Sequence, residues 1–250
     1  MKKMKLAFTL AEVLIVIGMI GVVAALTLPN LNHATGDKET VTRVKKAYST
    51  LSDAFDRAQV VYGNFDTWFK GLETESNVNK RFEVFAKRVT EFMKISKDCG
   101  ISNDSDTDCY VYSPIIGNGG YTVSLPDGML VGFAGVSEDG SHGYILVDVN
   151  GKNKGKNEDG KDIFCFDIQD NQLYPGGGYG YLPNSDNDQL ASNCINMNYC
   201  TEWVVTIGNL DYLKTHTVNE RHCNGGKCST DTKHKCPNGV ELSWTNNTCN

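Results

Sequence analysis

Residues 8–28, from Phe8-Thr9-Leu10-Ala11-Glu12 to Leu26-Thr27-Leu28, form an apolar run with a single charge, Glu12. Lys2, Lys3 and Lys5 precede it, and no basic cluster follows directly. About twenty apolar residues suffice for a helix to cross the hydrocarbon core of a bilayer. The run is therefore expected to span a membrane once, with the lysines holding the N-terminus on the cytoplasmic side. A secretory signal places its small-residue cleavage site after such a stretch, whereas here the small residue Ala7 stands before it. Gly21 and Ala25, with Gly18 and Ala24 nearby, give the small-xxx-small spacing that lets helix backbones approach closely. Glu12 is the residue that an ordinary anchor does not need, because a carboxylate within a span is costly and normally has a partner.

A short basic leader, Ala7, Phe8, Glu12 four residues later and Pro29 at the end of the apolar stretch together resemble the N-terminus of type IV prepilins and type II secretion pseudopilins. The resemblance covers roughly the first thirty residues. It implies cleavage between Ala7 and Phe8 by a prepilin peptidase, methylation of Phe8, and assembly into a helical filament with other pilin or pseudopilin subunits at an inner-membrane platform. Ala7 departs from the glycine usual before the cut. In the family the glutamate matching Glu12 pairs with the terminal ammonium of a neighbouring subunit, and methylation preserves that charge. The matching proline, here Pro29, bends the helix. The implied location is the bacterial inner membrane, with the C-terminal domain periplasmic or extracellular in a fibre.

Beyond the apolar run, Val41, Val44, Tyr48, Leu51, Phe55, Ala58 and Tyr62 recur at steps of three and four, so a helix with one buried stripe is expected. A second helix is expected over Asn79 to Lys97, with Phe82, Phe85, Val89 and Phe92 on one face. Strand-like runs follow at Tyr121 to Leu125, Met129 to Ala134, Tyr144 to Val149 and Ile163 to Ile168, separated by turn residues at spacings that favour antiparallel hairpins. Thr201 to Leu213 reads as a further helix or strand-turn-helix segment. The fold class is α+β: a long N-terminal membrane-spanning helix packed on a small antiparallel sheet, pilin-like, with a cysteine-rich C-terminal extension. The divisions expected are a leader over 1–7, an apolar helix over 8–28, a globular part over 29–190 and a cysteine-rich region over 191–250.

Formal net charge is -6, and removal of the leader takes 3 of the 24 basic residues against 30 acidic ones, leaving -9. That balance argues against a broad nucleic-acid surface. The loop after Asp148 carries Asn150, Asn157, Asp159 and Asp162, oxygen ligands that suit a hard cation such as calcium. The spacing departs from an EF-hand, and an Asn- and Gly-rich turn is the alternative. Calcium also follows from the resemblance, since major pseudopilins of type II secretion systems bind it in a surface loop.

The chain has 9 cysteines, all after the apolar run, and an exported domain would oxidise them. Local pairs suggest themselves, Cys99 with Cys109, Cys194 with Cys200, Cys223 with Cys228 and Cys236 with Cys249, leaving Cys165, although sequence alone does not fix the connectivity. The rival is a zinc site from His222, Cys223, Cys228, His234 and Cys236. Ser141-His142 lacks the glycines of a nucleophile elbow, and Gly176 to Gly180 lacks the strand-before, helix-after setting of a phosphate loop. The expected function is therefore a non-enzymatic filament subunit. A membrane-anchored ligand-binding or minor tip subunit, adhesin-like, is the alternative.

Overall fold

The stripe from Val41 to Ala58 lies on a helix that is continuous from Leu10 to Tyr62, α1, 53 residues long. A computed structural model describes residues 10–101, 109–113, 117–118, 120–151, 157–176, 194, 200–224, 227–243 and 245–249, without side-chain detail at 23–35, 112–113, 117–118, 222, 224, 227–229 and 231–232. The backbone of α1 is helical through Pro29 and through His33 to Asp37. The chain divides into two compact units, Met1–Glu39 and Thr40–Asn250.

In the larger unit, α2 (Val78–Thr90) is amphipathic, with Phe85, Ala86 and Val89 buried. It ends seven residues earlier than the periodicity predicts. Lys97 instead opens strand β1 (Lys97–Ile101), which pairs antiparallel with β4. Pairing with a distant strand supplies ladder hydrogen bonds that the local helical pattern does not foresee. After two short strands, β2 (Tyr112–Ser113) and β3 (Gly117–Asn118), come β4 (Tyr121–Ser124), β5 (Leu130–Ala134), β6 (His142–Asp148), β7 (Ile163–Gln169) and β8 (Gln172–Tyr174). The main sheet has the order β1-β4-β5-β6-β7-β8 and is antiparallel throughout. Asp170 and Asn171 between β7 and β8 both have positive φ, as a two-residue type I′ hairpin requires.

One face of this sheet presents Val123, Val131, Phe133, Ile145, Val147, Phe164, Phe166 and Ile168. These share a core with Val44, Ala47, Leu51 and Phe55 of α1 and with Phe85 and Val89 of α2. Tyr48 stacks on Phe166 with ring centroids 5.8 Å apart. The opposite face holds a smaller cluster of Leu130, Leu146, Ile163 and Cys165 beneath Val111. Strands β5, β6 and β7 are thus covered on both faces, which is why they read as nearly continuous apolar runs.

The C-terminal region belongs to the same body. Trp203 and Val204 on the short helix α3 (Thr201–Thr206), Leu210, Tyr212, Cys236 and Leu242 all join the main core. A two-stranded ribbon of β9 (His216–Asn224) and β10 (Lys227–Lys235) forms its own sheet.

The expectation of a membrane-spanning helix is corrected. Among the described residues no helix is long and apolar enough to cross a membrane. A single-pass inner-membrane placement loses its support with that span. The α+β class stands, with a six-stranded antiparallel sheet.

Candidate functional site

The first part of α1 is the most unusual surface of the molecule. Leu10 is 81% exposed, and Val13, Leu14, Ile15, Val16, Ile17, Met19, Ile20 and Val22 are all at least half exposed. These positions are nearly consecutive, so at 100° per residue they surround the helix rather than forming one stripe. Glu12 lies among them, exposed, in the first turn of the helix. Ala7 and Phe8 lie outside the described residues, and Pro29 is described only as helical backbone. A helix that is apolar on all sides has the pattern of one that is buried on all sides, and here those side chains are exposed.

The polar loop after β6 is held by its own hydrogen bonds. Asp148 is fully buried, and its Oδ1 accepts the N–H groups of Asn150 and Gly151 at 3.1 and 2.8 Å. Asp162 Oδ2 accepts from Asn150 Nδ2 at 3.1 Å, and its Oδ1 accepts the Glu158 N–H at 2.5 Å. Burial pushes the Asp162 carboxyl up, against the pull of those two donors. The structure therefore brings Asp148, Asn150 and Asp162 together, while Asp159 bridges to Ile163 through its backbone and Asn157 is half-buried. Asn150 Oδ1 is buried without a hydrogen-bond partner among the described residues. A calcium shell takes about six to eight oxygens. Among the described residues no group of three or more His, Cys, Asp or Glu side chains could hold a metal ion. The arrangement is that of a tight Asx-type turn.

Cysteine chemistry is equally specific. Cys99–Cys109, Cys194–Cys200 and Cys236–Cys249 are disulfides. Cys223 is disulfide-bonded, and its register partner across the β9–β10 ribbon is Cys228. The bonding of Cys223 and Cys236 removes two thiolates from the zinc set considered with His222, Cys228 and His234. Cys165 is not disulfide-bonded and is fully buried on the second face of the sheet; its backbone N–H donates to Thr201 Oγ1 at 3.1 Å.

The C-terminal disulfide is anchored by Asp211, which is 4% exposed. It accepts from Lys214 Nζ at 2.5 Å, Thr248 Oγ1 at 2.9 Å and the Cys249 N–H at 2.8 Å. Burial works to raise its carboxyl, but Lys214 and the other donors hold it below the ordinary value. Sequence reading passed over Asp211. The signal available was its place in Asn209-Leu210-Asp211-Tyr212, where Asn209 also caps the buried Trp203 by accepting from its indole N–H at 2.8 Å.

Ser141, half-buried, ends the turn before β6, and the exposed His142 opens that strand. Asp139 Oδ1 accepts from the Ser141 N–H at 3.0 Å and from the hydroxyls of Ser137 and Ser141 at 2.7 Å, while Ser141 Oγ lies 2.7 Å from His142 Nδ1. The carboxylate thus contacts the serines and not the imidazole, the reverse of the order in a Ser-His-Asp relay. Of the glycine run, Gly176 is buried against Asp167, and residues 177–180 lie outside the described residues.

Comparison with protein families gives one match, over residues 30–207, to a family of unknown function, DUF6613. The chain belongs to that family. The DUF6613 match begins after the apolar run, covers the main sheet and closes just after α3. No curated protein and no solved structure matches the chain.

Proposed function

We propose that the protein is a structural subunit of a type IV pilin or pseudopilin kind of filament, cleaved between Ala7 and Phe8 by a prepilin peptidase, methylated at Phe8, and polymerised through the first part of α1. The observation that carries this reading is the exposed apolar surface from Leu10 to Val22, in a chain whose unit Thr40–Asn250 holds a core of its own. Burying apolar side chains stabilises by about 25 cal/mol per Å², so helices of other copies are a natural cover. Glu12 would then meet the terminal ammonium of Phe8 from a neighbouring copy. The disulfides among the described residues support export to an oxidising compartment. In this reading the protein is not an enzyme, and the loop from Asp148 to Asp162 is a structural turn without calcium.

The direct test is intact-mass analysis of the protein isolated from cells with an active prepilin peptidase. A chain beginning at methylated Phe8 is expected. A chain that retains Met1 to Ala7 in such cells would overturn the reading.

A further inference from the structure

A cleft of about 480 Å³ opens in the body beside α1, where the segment after α2 meets the β4–β5 turn. Its apolar wall is made by Phe92, Met93, Leu125 and Met129; Leu125 and Met129 are buried, and Phe92 and Met93 are half-buried. The volume falls within the ~300–1,000 Å³ of small-molecule sites. Four charged side chains stand around it: Lys46, Asp53, Lys94 and Asp127. Lys46 Nζ is 2.6 Å from Asp127, and Arg57 Nε is 3.1 Å from Asp53. Both acids are thereby paired, and Lys94, exposed at the rim, has no acidic partner among the described residues.

We propose that this cleft binds a small arylcarboxylate, with its ring against Phe92, Met93 and Met129 and its carboxylate on Lys94. Two chemical features select that class. Methionine sulfur makes favourable contacts with aromatic rings, and the partly exposed Phe92 offers an edge or face for a second ring. The unpaired ammonium at the rim supplies a single anion contact, which matches one carboxylate and leaves a cationic ligand without a free acid. The site lies wholly within Thr40–Asn250 and does not depend on how α1 assembles.

The test uses the full chain labelled with ¹³C at its methionine methyls, titrated with 3-phenylpropionate and, separately, with the uncharged 3-phenylpropanamide. Met93 and Met129 report the cleft, and Met19 on the exposed part of α1 reports non-specific uptake. Ring-current shifts at Met93 and Met129 that saturate below about 10 mM propionate, with Met19 unmoved, are expected for a weak small-molecule site. Lys94→Glu should weaken propionate binding about three- to five-fold, the scale of an exposed ion pair, and leave amide binding unchanged. Three results would overturn the proposal: no saturable shift at Met93 and Met129, Met19 moving in step with them, or propionate affinity unaffected by Lys94→Glu. Because Lys94 is exposed, the thermal midpoint of the variant should match the parent, which separates lost binding from lost folding.

Discussion

The two parts of α1 obey different rules although one backbone carries both. From Val41 to Ala58 the apolar residues keep helical spacing, and Val44, Leu51, Phe55 and Ala58 are at most 1% exposed. From Leu10 to Val22 the apolar residues are nearly consecutive and every large one is at least half exposed. The first pattern is satisfied inside the chain; the second is left exposed, and in the proposed filament other copies cover it. A helix therefore shows where its stabilisation comes from by the width of its apolar surface, a stripe for its own sheet and a full circumference for other molecules.

The comparison can be broken most forcefully at Phe55, which packs against Phe65 and Trp68 with ring centroids 5.7 and 5.8 Å away. Phe55→Ala should destabilise the body by about 4 kcal/mol in denaturant unfolding. Ile17→Ala, on the exposed part, should change the same transition by less than about 0.5 kcal/mol. Comparable losses at the two sites would erase the distinction.

Next in size is the C-terminal closure. Replacing both Cys236 and Cys249 by Ala opens a loop with a sequence separation of 13 and should cost about 3 kcal/mol, by freeing the unfolded chain. An unchanged unfolding midpoint would show that the tail adds nothing to the core, despite the burial of Cys236 and Leu242.

A smaller effect is expected at Asp211. Asp211→Asn should cost about 2 kcal/mol, since it weakens charge-assisted bonds to Lys214, Thr248 and Cys249. The folded carboxyl lies below its ordinary value of 3.8. Its contribution is therefore complete above the unfolded value and is lost as pH falls through the folded one. The parent should lose more stability than Asp211→Asn as pH drops below about 4, so parallel acid-unfolding curves would count against this role.

The smallest effect concerns the loop after β6. With Asp148 Oδ1 and both Asp162 oxygens engaged by backbone and amide N–H groups, millimolar calcium should leave the melting temperature unchanged. A rise that follows mass action, about 2.7 kcal/mol at a hundred-fold excess over Kd, would restore the cation site.

Much of this organisation is visible in the sequence because it is written in periodicity. The stripe of α1 and the runs at β4 to β7 are apolar where the structure buries them. Other elements carry no such signal. β1 reads Lys97-Asp98-Cys99-Gly100-Ile101, mostly polar and broken by Gly100, and owes its conformation to its ladder with β4. β9 and β10 contain almost no apolar residues, so neither alternation nor hydrophobicity marks them. The available cue was the turn-forming Asn224-Gly225-Gly226 between Cys223 and Cys228. Asp211 was illegible for a different reason: its partners Thr248 and Cys249 are distant in sequence, and only folding brings them together. In the first part of α1, composition identified an apolar helix and Glu12, but the described helix gives no membrane span.

In the proposed filament other copies cover the exposed part of α1, while the core of Thr40–Asn250 is complete without them. Sedimentation velocity on the full chain and on Ile17→Glu/Ile20→Glu, with unfolding of both followed in parallel, tests it most directly. Large assemblies are expected for the parent, a monomer for the variant, and the same unfolding midpoint for the body in each. Equal assembly by both chains, or a monomeric parent, would contradict it.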